Sequence, residues 1–147
     1  MNKPRDIDWN ALRRIARYLA GRPRLVYKFQ WQEAGLITAF VDTDFAGCLE
    51  TRRSTSGGTL LHGTHLVKHW STTQKTTALS TGEAELYGAV KGASEALGMQ
   101  SIASDLGISS NVHVRTDSSA AIGICARTGI GRVRHLATGQ LWVQERI

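Results

Sequence analysis

Residues 36–45 read LITAFVDTDF, and this stretch decides the fold because its β-branched and aromatic side chains are typical of a central strand. Two further strands are predicted after a polar loop, TLLH at 59–62 and THLVKHW at 64–70. Gly63 and Thr64 form the connection, which is the length of a tight hairpin turn. The sequence therefore predicts a sheet that starts with three consecutive antiparallel strands.

A long helix and a fourth strand follow the hairpin. Ser80 and Glu83 match the S-x-x-E capping pattern, and apolar side chains at helical spacing continue this helix to Gly107. The fourth strand is NVHVRTD at 111–117, and further helical segments come after it. A helical crossover joins parallel strands, so the fourth strand should lie beside the first. We expect an α/β fold, a mixed sheet of three antiparallel strands plus one parallel strand with flanking helices.

A basic segment precedes the sheet. Residues 6–24 carry apolar side chains near helical spacing and predict an amphipathic helix, and LVYKFQW at 25–31 has the alternation of a strand. The polar face of the helix is rich in arginine, which fits either a solvated surface or a nucleic-acid contact. We therefore expect a basic helix and linker over residues 1–30 and an α/β domain over residues 31–147.

Length and charge limit the function further. With 147 residues, of which 41% are hydrophobic, the chain can bury one ordinary core, and its formal net charge of +6 favours a polyanionic partner such as nucleic acid. No apolar run approaches the roughly 20 residues of a membrane-spanning helix, and residues 1–10 lack the apolar core of a signal peptide. Cys48 and Cys125 are expected to be free thiols. These features predict an intracellular protein with no membrane partner.

Three carboxylates are expected to meet at one edge of this sheet. Asp42 lies in the first strand, Glu85 in the first turn of the long helix and Asp117 at the end of the fourth strand. Clustered carboxylates repel one another, so the arrangement makes physical sense chiefly if a divalent cation neutralises them. Oxygen ligands alone suit Mg²⁺ or Mn²⁺. Asp44 and Glu83 lie two residues from Asp42 and Glu85, and both are alternatives from the residues alone.

Four sequence words strengthen this interpretation. They resemble, in this order, the ribonuclease H domain of copia-type retrotransposon polyproteins, and the resemblance covers nearly the whole chain. The words are VDTDFAG at 41–47, RRSTSGG at 52–58, HWSTTQKTTALSTGEAEL at 69–86 and VRTDSSAA at 114–121.

The resemblance implies a ribonuclease H-like fold and an endonuclease that cleaves the RNA strand of an RNA–DNA hybrid with two metal ions. It implies Asp42, Glu85 and Asp117 as the catalytic, metal-binding acids, with Mg²⁺ or Mn²⁺ as cofactor. Residues 1–30 resemble the link that follows the family's reverse transcriptase, so such a domain is expected earlier in the same polyprotein. The cytoplasm, a virus-like particle or the nucleus is the expected location.

One feature departs from the family pattern. Ribonuclease H-like sites usually add a fourth acid on a last helix, after one more strand, and the chain ends before that strand. Ala137 also stands where the family carries an aspartate in its K-H-I-D word. We therefore expect a truncated or degenerate three-acid domain with impaired activity. The alternative is a catalytically degenerate tether that binds nucleic acid through its basic residues.

Loops that flank the predicted acidic site are rich in hydrogen-bond donors. Such groups commonly hold phosphate and sugar without reading a base sequence. The predicted nucleic-acid-binding residues are Arg52, Arg53, Ser54, Thr55, Gln74, Lys75, Thr77, Arg134 and His135.

Overall fold

A computed structural model describes residues 4–33, 35–129, 131 and 138–146. The chain divides into two units, with the division between Trp31 and Gln32.

The first unit contains helix α1, Asp6–Ala20, which confirms the predicted amphipathic helix. Its N-cap residue is Arg5, whose backbone N–H donates to Asp8 Oδ2 at 2.9 Å, and the helix ends at Gly21. None of its residues is buried. The alternating run at 25–31 forms no strand, so that prediction is wrong. Alternation alone does not make a strand, because the backbone also needs a hydrogen-bonded neighbour, and no described strand pairs with this run.

The second unit is built on a four-stranded sheet with the order β3-β2-β1-β4. The strands are β1, Leu36–Asp44; β2, Thr55–His62; β3, His65–Thr73; and β4, Asn111–Arg115. β2 is antiparallel to both β1 and β3, whereas β4 is parallel to β1. The predicted mixed sheet is therefore confirmed, including the position of the fourth strand beside the first.

Strand β2 is longer than predicted, because it begins at Thr55 rather than at residue 59. Thr55 pairs with Asp44, so the polar residues before the predicted strand extend the ladder to the last residue of β1. At the other end, Gly63 adopts a φ of 58° in the hairpin turn, a left-handed conformation that favours glycine. The hairpin connection is thus where the sequence predicts it.

The long helix after β3 packs against the sheet, and the two later helices pack against this long helix. Helix α2 spans Thr81–Asp105, and its N-cap Ser80 accepts a hydrogen bond from the Glu83 backbone N–H at 3.2 Å. Helix α3 spans Ser119–Cys125 and is capped in the same way by Ser118. A 3₁₀ helix over Thr138–Arg146 takes the place of the last predicted helical run. Among the described residues, no helix is long and apolar enough to cross a membrane.

Helix α2 packs very close to the sheet because glycines line the contact. A Cβ atom on Gly92 would overlap Val41 Cγ1, and one on Gly88 would overlap Thr43 Oγ1. Two clusters of buried apolar side chains flank this contact, one around Ile37 and Leu60 and one around Leu86. The first turns of α2 are thereby held against the end of β1, where the predicted acids lie.

Candidate metal centre

The three predicted acids come from three different elements and meet at one end of the sheet. Asp42 lies near the end of β1, Asp117 follows β4 by two residues, and the parallel pairing of Phe40 with Arg115 brings these strand ends together. Glu85 is the fifth residue of α2. One carboxylate oxygen from each acid lies within 4.8 Å of the other two. The structure thus brings together the group that the sequence predicts, a group of oxygens that could hold a metal ion.

Glu85 occupies the buried side of this acidic cluster. It is 8% exposed, whereas Asp42 and Asp117 are both exposed. Burial raises the pKa of the Glu85 carboxyl, and the negative charges of Asp42 and Asp117 raise it further. In the described part of the chain, the buried Glu85 Oε2 atom has no hydrogen-bond partner. A cation would supply what this atom lacks, because a buried carboxylate oxygen needs a donor or a positive charge.

Asp44, the alternative to Asp42, is used elsewhere. Its Oδ1 atom accepts a hydrogen bond from the Thr55 backbone N–H. A Cβ atom on Gly47 would overlap the same carboxylate, so Asp44 packs closely against the loop that follows β1. By contrast, Asp42 Oδ1 accepts from the Thr43 backbone N–H at 2.9 Å, and the Asp42 carboxylate belongs to the acidic cluster. The geometry therefore favours Asp42.

Glu83, the alternative to Glu85, also has a local structural role. Its Oε2 accepts from the Leu79 backbone N–H at 2.7 Å, and its Oε1 accepts from the Tyr87 hydroxyl at 2.6 Å. Burial and then the hydrogen bond to Glu83 raise the pKa of Tyr87 to about 12. Both carboxylate oxygens are thus engaged within the start of α2. The geometry favours Glu85 as the member of the acidic cluster.

The predicted nucleic-acid contacts fall into separate groups. Exposed side chains suited to such a contact are Arg52, Arg53, Lys75 and Thr77. Thr55 is half-buried in β2. Arg134 and His135 lie outside the described residues, as does Ala137.

Two of the predicted nucleic-acid contacts have buried side chains. Ser54 is fully buried, and its Oγ accepts from the Ala46 backbone N–H at 3.0 Å. Gln74 is 8% exposed, and its side-chain amide is hydrogen-bonded inside the protein. Both side chains are donors by residue type, but neither reaches the surface. Sequence composition indicates a donor-rich loop, but it does not show which polar side chains form hydrogen bonds inside the protein.

Sequence reasoning missed a buried polar layer next to the acidic cluster. It consists of Thr43, Ser56 and Gln74, which are 7%, 4% and 8% exposed. A signal was present for Thr43, because it shares the period-two face of the buried residues Ile37 and Ala39. Ser56 and Gln74 carried no comparable signal, since a serine before two glycines and a glutamine in a threonine-rich segment both resemble loop residues.

The comparisons with known proteins agree with the predicted kinship. No protein-family model matches the chain. Over its whole length it is 30% identical to the retrovirus-related Pol polyprotein from transposon RE2 of Arabidopsis thaliana and 26% identical to that from transposon TNT 1-94 of Nicotiana tabacum. It covers 10% and 11% of these two proteins. Over 64% of its length it is also 33% identical to secreted RxLR effector protein 161 of Plasmopara viticola, of which it covers 66%.

These similarities confirm the predicted resemblance to Pol polyproteins of copia-type transposons. The chain spans about a tenth of the length of the Pol polyproteins that it matches. The names of these relatives describe a polyprotein and do not specify a ribonuclease H.

Proposed function

We propose that this homologue of retrovirus-related Pol polyproteins is a ribonuclease H domain, which cleaves the RNA strand of an RNA–DNA hybrid by metal-dependent hydrolysis of phosphodiester bonds. The observation that carries the proposal is the convergence of Asp42, Glu85 and Asp117 within 4.8 Å. These acids come from β1, α2 and the segment after β4, so the fold, rather than a local sequence repeat, creates the cluster.

The donor set of the acidic cluster fits Mg²⁺ or Mn²⁺. All three ligands are carboxylate oxygens, which these hard cations prefer, and the cluster offers neither thiolate nor imidazole. Glu85 would hold the metal from the buried side, and Asp42 and Asp117 would hold it from the exposed side that a substrate can approach. When bound, two such ions would activate water for attack on a phosphodiester and stabilise the leaving oxygen.

The protein's own residues would position the substrate. The Thr43 backbone N–H holds Asp42 Oδ1, which fixes the orientation of that carboxylate at the mouth of the cluster. Exposed Arg52, Arg53 and Lys75 supply positive charge that suits phosphate contacts. Hybrids would be distinguished by the shape of the minor groove and by the 2′-hydroxyl groups of the RNA strand. These contacts select the kind of duplex rather than its base sequence.

The polyprotein context suggests the neighbours of this domain. We propose that a reverse transcriptase domain precedes it in the same polyprotein and that residues 1–30 form the connection. A location in the cytoplasm, in a virus-like particle or in the nucleus follows from the same proposal. The formal net charge of +6 suits a protein that works on a polyanionic duplex.

A cleavage assay on a labelled RNA–DNA hybrid tests the proposal. We expect the rate to depend on MgCl₂ concentration and to vanish in chelator, and we expect Asp42→Asn to lower it at least about 100-fold, or about 2.7 kcal/mol of activation barrier. Asp44→Asn is the matched control, because asparagine keeps the oxygen that accepts from Thr55 and lies outside the acidic cluster. Equal rates for the unaltered chain and Asp42→Asn would refute the catalytic claim.

The same samples distinguish a nuclease from a degenerate tether. Among the described residues the cluster contains three carboxylates. Fewer ligands hold a second ion more weakly, so we propose a low rate that rises over a wide range of MgCl₂ concentrations. A tether would bind the hybrid equally well with MgCl₂ and with chelator and would cleave nothing, which fluorescence anisotropy and gel analysis would show together.

A further inference from the structure

The buried polar layer of Thr43, Ser56 and Gln74 lies at the contact between the sheet and the start of α2. Thr43 and Ser56 pair across β1 and β2, directly next to Asp42 in the ladder. On the helix side, Gly88 leaves room for Thr43, because a Cβ atom at that position would overlap the threonine hydroxyl. The Thr43 hydroxyl has no hydrogen-bond partner among the described residues, so the hydrogen bonds that join the sheet to the helix in this layer are those of Gln74.

Gln74 links β2 to α2 from its place between β3 and α2. Its Nε2 donates to Ser56 Oγ in β2 at 2.9 Å and to the Ala84 carbonyl in α2 at 2.8 Å. Its own backbone N–H donates to the Ser54 carbonyl at 2.8 Å, which anchors the base of the side chain. The Gln74 side chain therefore holds Ala84 against the sheet. Ala84 directly precedes Glu85, which is the buried member of the acidic cluster.

Chemistry determines the orientation of the Gln74 amide. A backbone carbonyl can only accept, so the Ala84 contact requires the NH₂ group rather than the amide oxygen. Both Nε2 hydrogens are then used, one for Ala84 and one for Ser56. No carboxylate can replace this amide, and no apolar side chain can make either bond. The position needs a side chain with two donors and the length of glutamine.

We propose that Gln74 is a positioning residue that holds Glu85 against the sheet and thereby sets the affinity of the acidic cluster for divalent metal. The inference rests on the proposed function of that cluster. Gln74 does not touch the metal ligands' oxygens; it acts through the Ala84–Glu85 backbone. Removing a group that orients a metal ligand typically lowers metal affinity by roughly 10- to 100-fold, and we expect a loss in this range for Gln74.

A matched pair of variants separates positioning from general stability. Gln74→Met keeps the length and removes both donors. Gln100→Met makes the same change near the other end of α2. There Gln100 Nε2 donates to the Ser110 carbonyl at 2.6 Å. The full chain and both variants would be titrated with MgCl₂ and followed by two-dimensional amide NMR, with Asp42→Asn as the variant that has lost a ligand. Circular dichroism checks that each variant is folded.

We expect Gln74→Met to weaken Mg²⁺ binding about tenfold and Gln100→Met to leave it within about twofold of the unaltered chain. Gln74→Asn, which is one carbon too short to reach both acceptors, should also weaken binding and serves if the methionine variant does not fold. Unchanged affinity in a folded Gln74 variant, with binding lost in Asp42→Asn, overturns the positioning role alone. An equal loss of Mg²⁺ affinity in Gln74→Met and Gln100→Met also overturns the positioning role. If the unaltered chain does not bind Mg²⁺, the proposed metal centre is overturned as well.

Discussion

Replacing Glu85 with glutamine should make the metal-free protein more stable while removing its response to metal. Glu85 is buried beside two other carboxylates, and its Oε2 atom has no partner in the described part of the chain. Glutamine keeps the shape of the side chain and removes the charge. The substitution therefore relieves the repulsion within the acidic cluster at the cost of a proposed metal ligand.

The size of the gain follows from the distances. At a separation of 4.8 Å, Coulomb's law gives about 3.5 kcal/mol of repulsion per pair at an effective dielectric constant of ~20 and about 0.9 kcal/mol at ~80. Asp42 and Asp117 are exposed, so water screens both pairs and the smaller figure applies to each. We expect Glu85→Gln to raise the free energy of unfolding by about 2 kcal/mol in chelator, or the Tm by roughly 5–10 °C.

Thermal unfolding at neutral pH, followed by circular dichroism with chelator and with MgCl₂, measures both effects. The unaltered chain should gain stability on adding MgCl₂, because a ligand that binds only the folded state stabilises it, and Glu85→Gln should not. Glu83→Gln is the matched control and should lose stability, since glutamine keeps an acceptor oxygen for only one of the two donors, the Leu79 N–H or the Tyr87 hydroxyl. A Glu85→Gln variant that is less stable than the unaltered chain in chelator would refute the reasoning.

The pH dependence of the stability of the metal-free chain reports on the same carboxylate. Because the pKa of Glu85 is raised in the folded state, the folded protein holds this proton more tightly than the unfolded chain. Its contribution therefore favours folding at low pH and is lost as the pH rises from the ordinary value of 4.5 through the raised pKa. Glu85→Gln should remove this decline, which urea denaturation at a series of pH values would show.

Two further changes test the packing of α2 and the proposed duplex contact. Gly92→Ala should lower the free energy of unfolding by about 1–3 kcal/mol, because the new methyl group overlaps Val41. Gly98→Ala in the same helix meets nothing within 4 Å and should raise the free energy of unfolding by about 0.5–1 kcal/mol. Urea denaturation measures both changes. Changing Arg52 and Arg53 together to alanine should weaken hybrid binding and make the slope of log affinity against log salt concentration shallower by about 2, and an unchanged slope would remove this loop from the interface.

Much of the fold could be predicted because its elements carry strong local signals. The apolar run of β1, the Ser80 cap of α2 and the Gly63 turn all lie where the pattern places them. The extended run at 25–31 could not be assigned in the same way. A strand depends on a partner elsewhere in the chain, and residue alternation contains no information about whether that partner exists.

The candidate site could be predicted less completely, since residue type does not determine how a polar group is used. Asp42 and Asp44 share one face of β1, and only the structure shows that Asp44 accepts from Thr55. Gln74 belongs by composition to a surface loop, but its side-chain amide is buried and hydrogen-bonded to Ser56 and Ala84. Long-range hydrogen bonds of this kind connect residues far apart in sequence, and no periodicity reports them.

The neighbouring acids have different roles, which explains how the fold tolerates a cluster of carboxylates that repel one another. Asp44 and Glu83 are satisfied by backbone or hydroxyl donors and stabilise the segments beside the cluster, whereas Glu85 has an oxygen left without a donor in the described residues. Structural hydrogen bonding and the proposed metal binding thus fall to different carboxylates only two residues apart. Substitution of Asp44 or Glu83 should therefore affect folding first, and substitution of Asp42 or Glu85 should affect metal binding first. This separation is the behaviour expected where local destabilisation is kept for function and compensated by its surroundings.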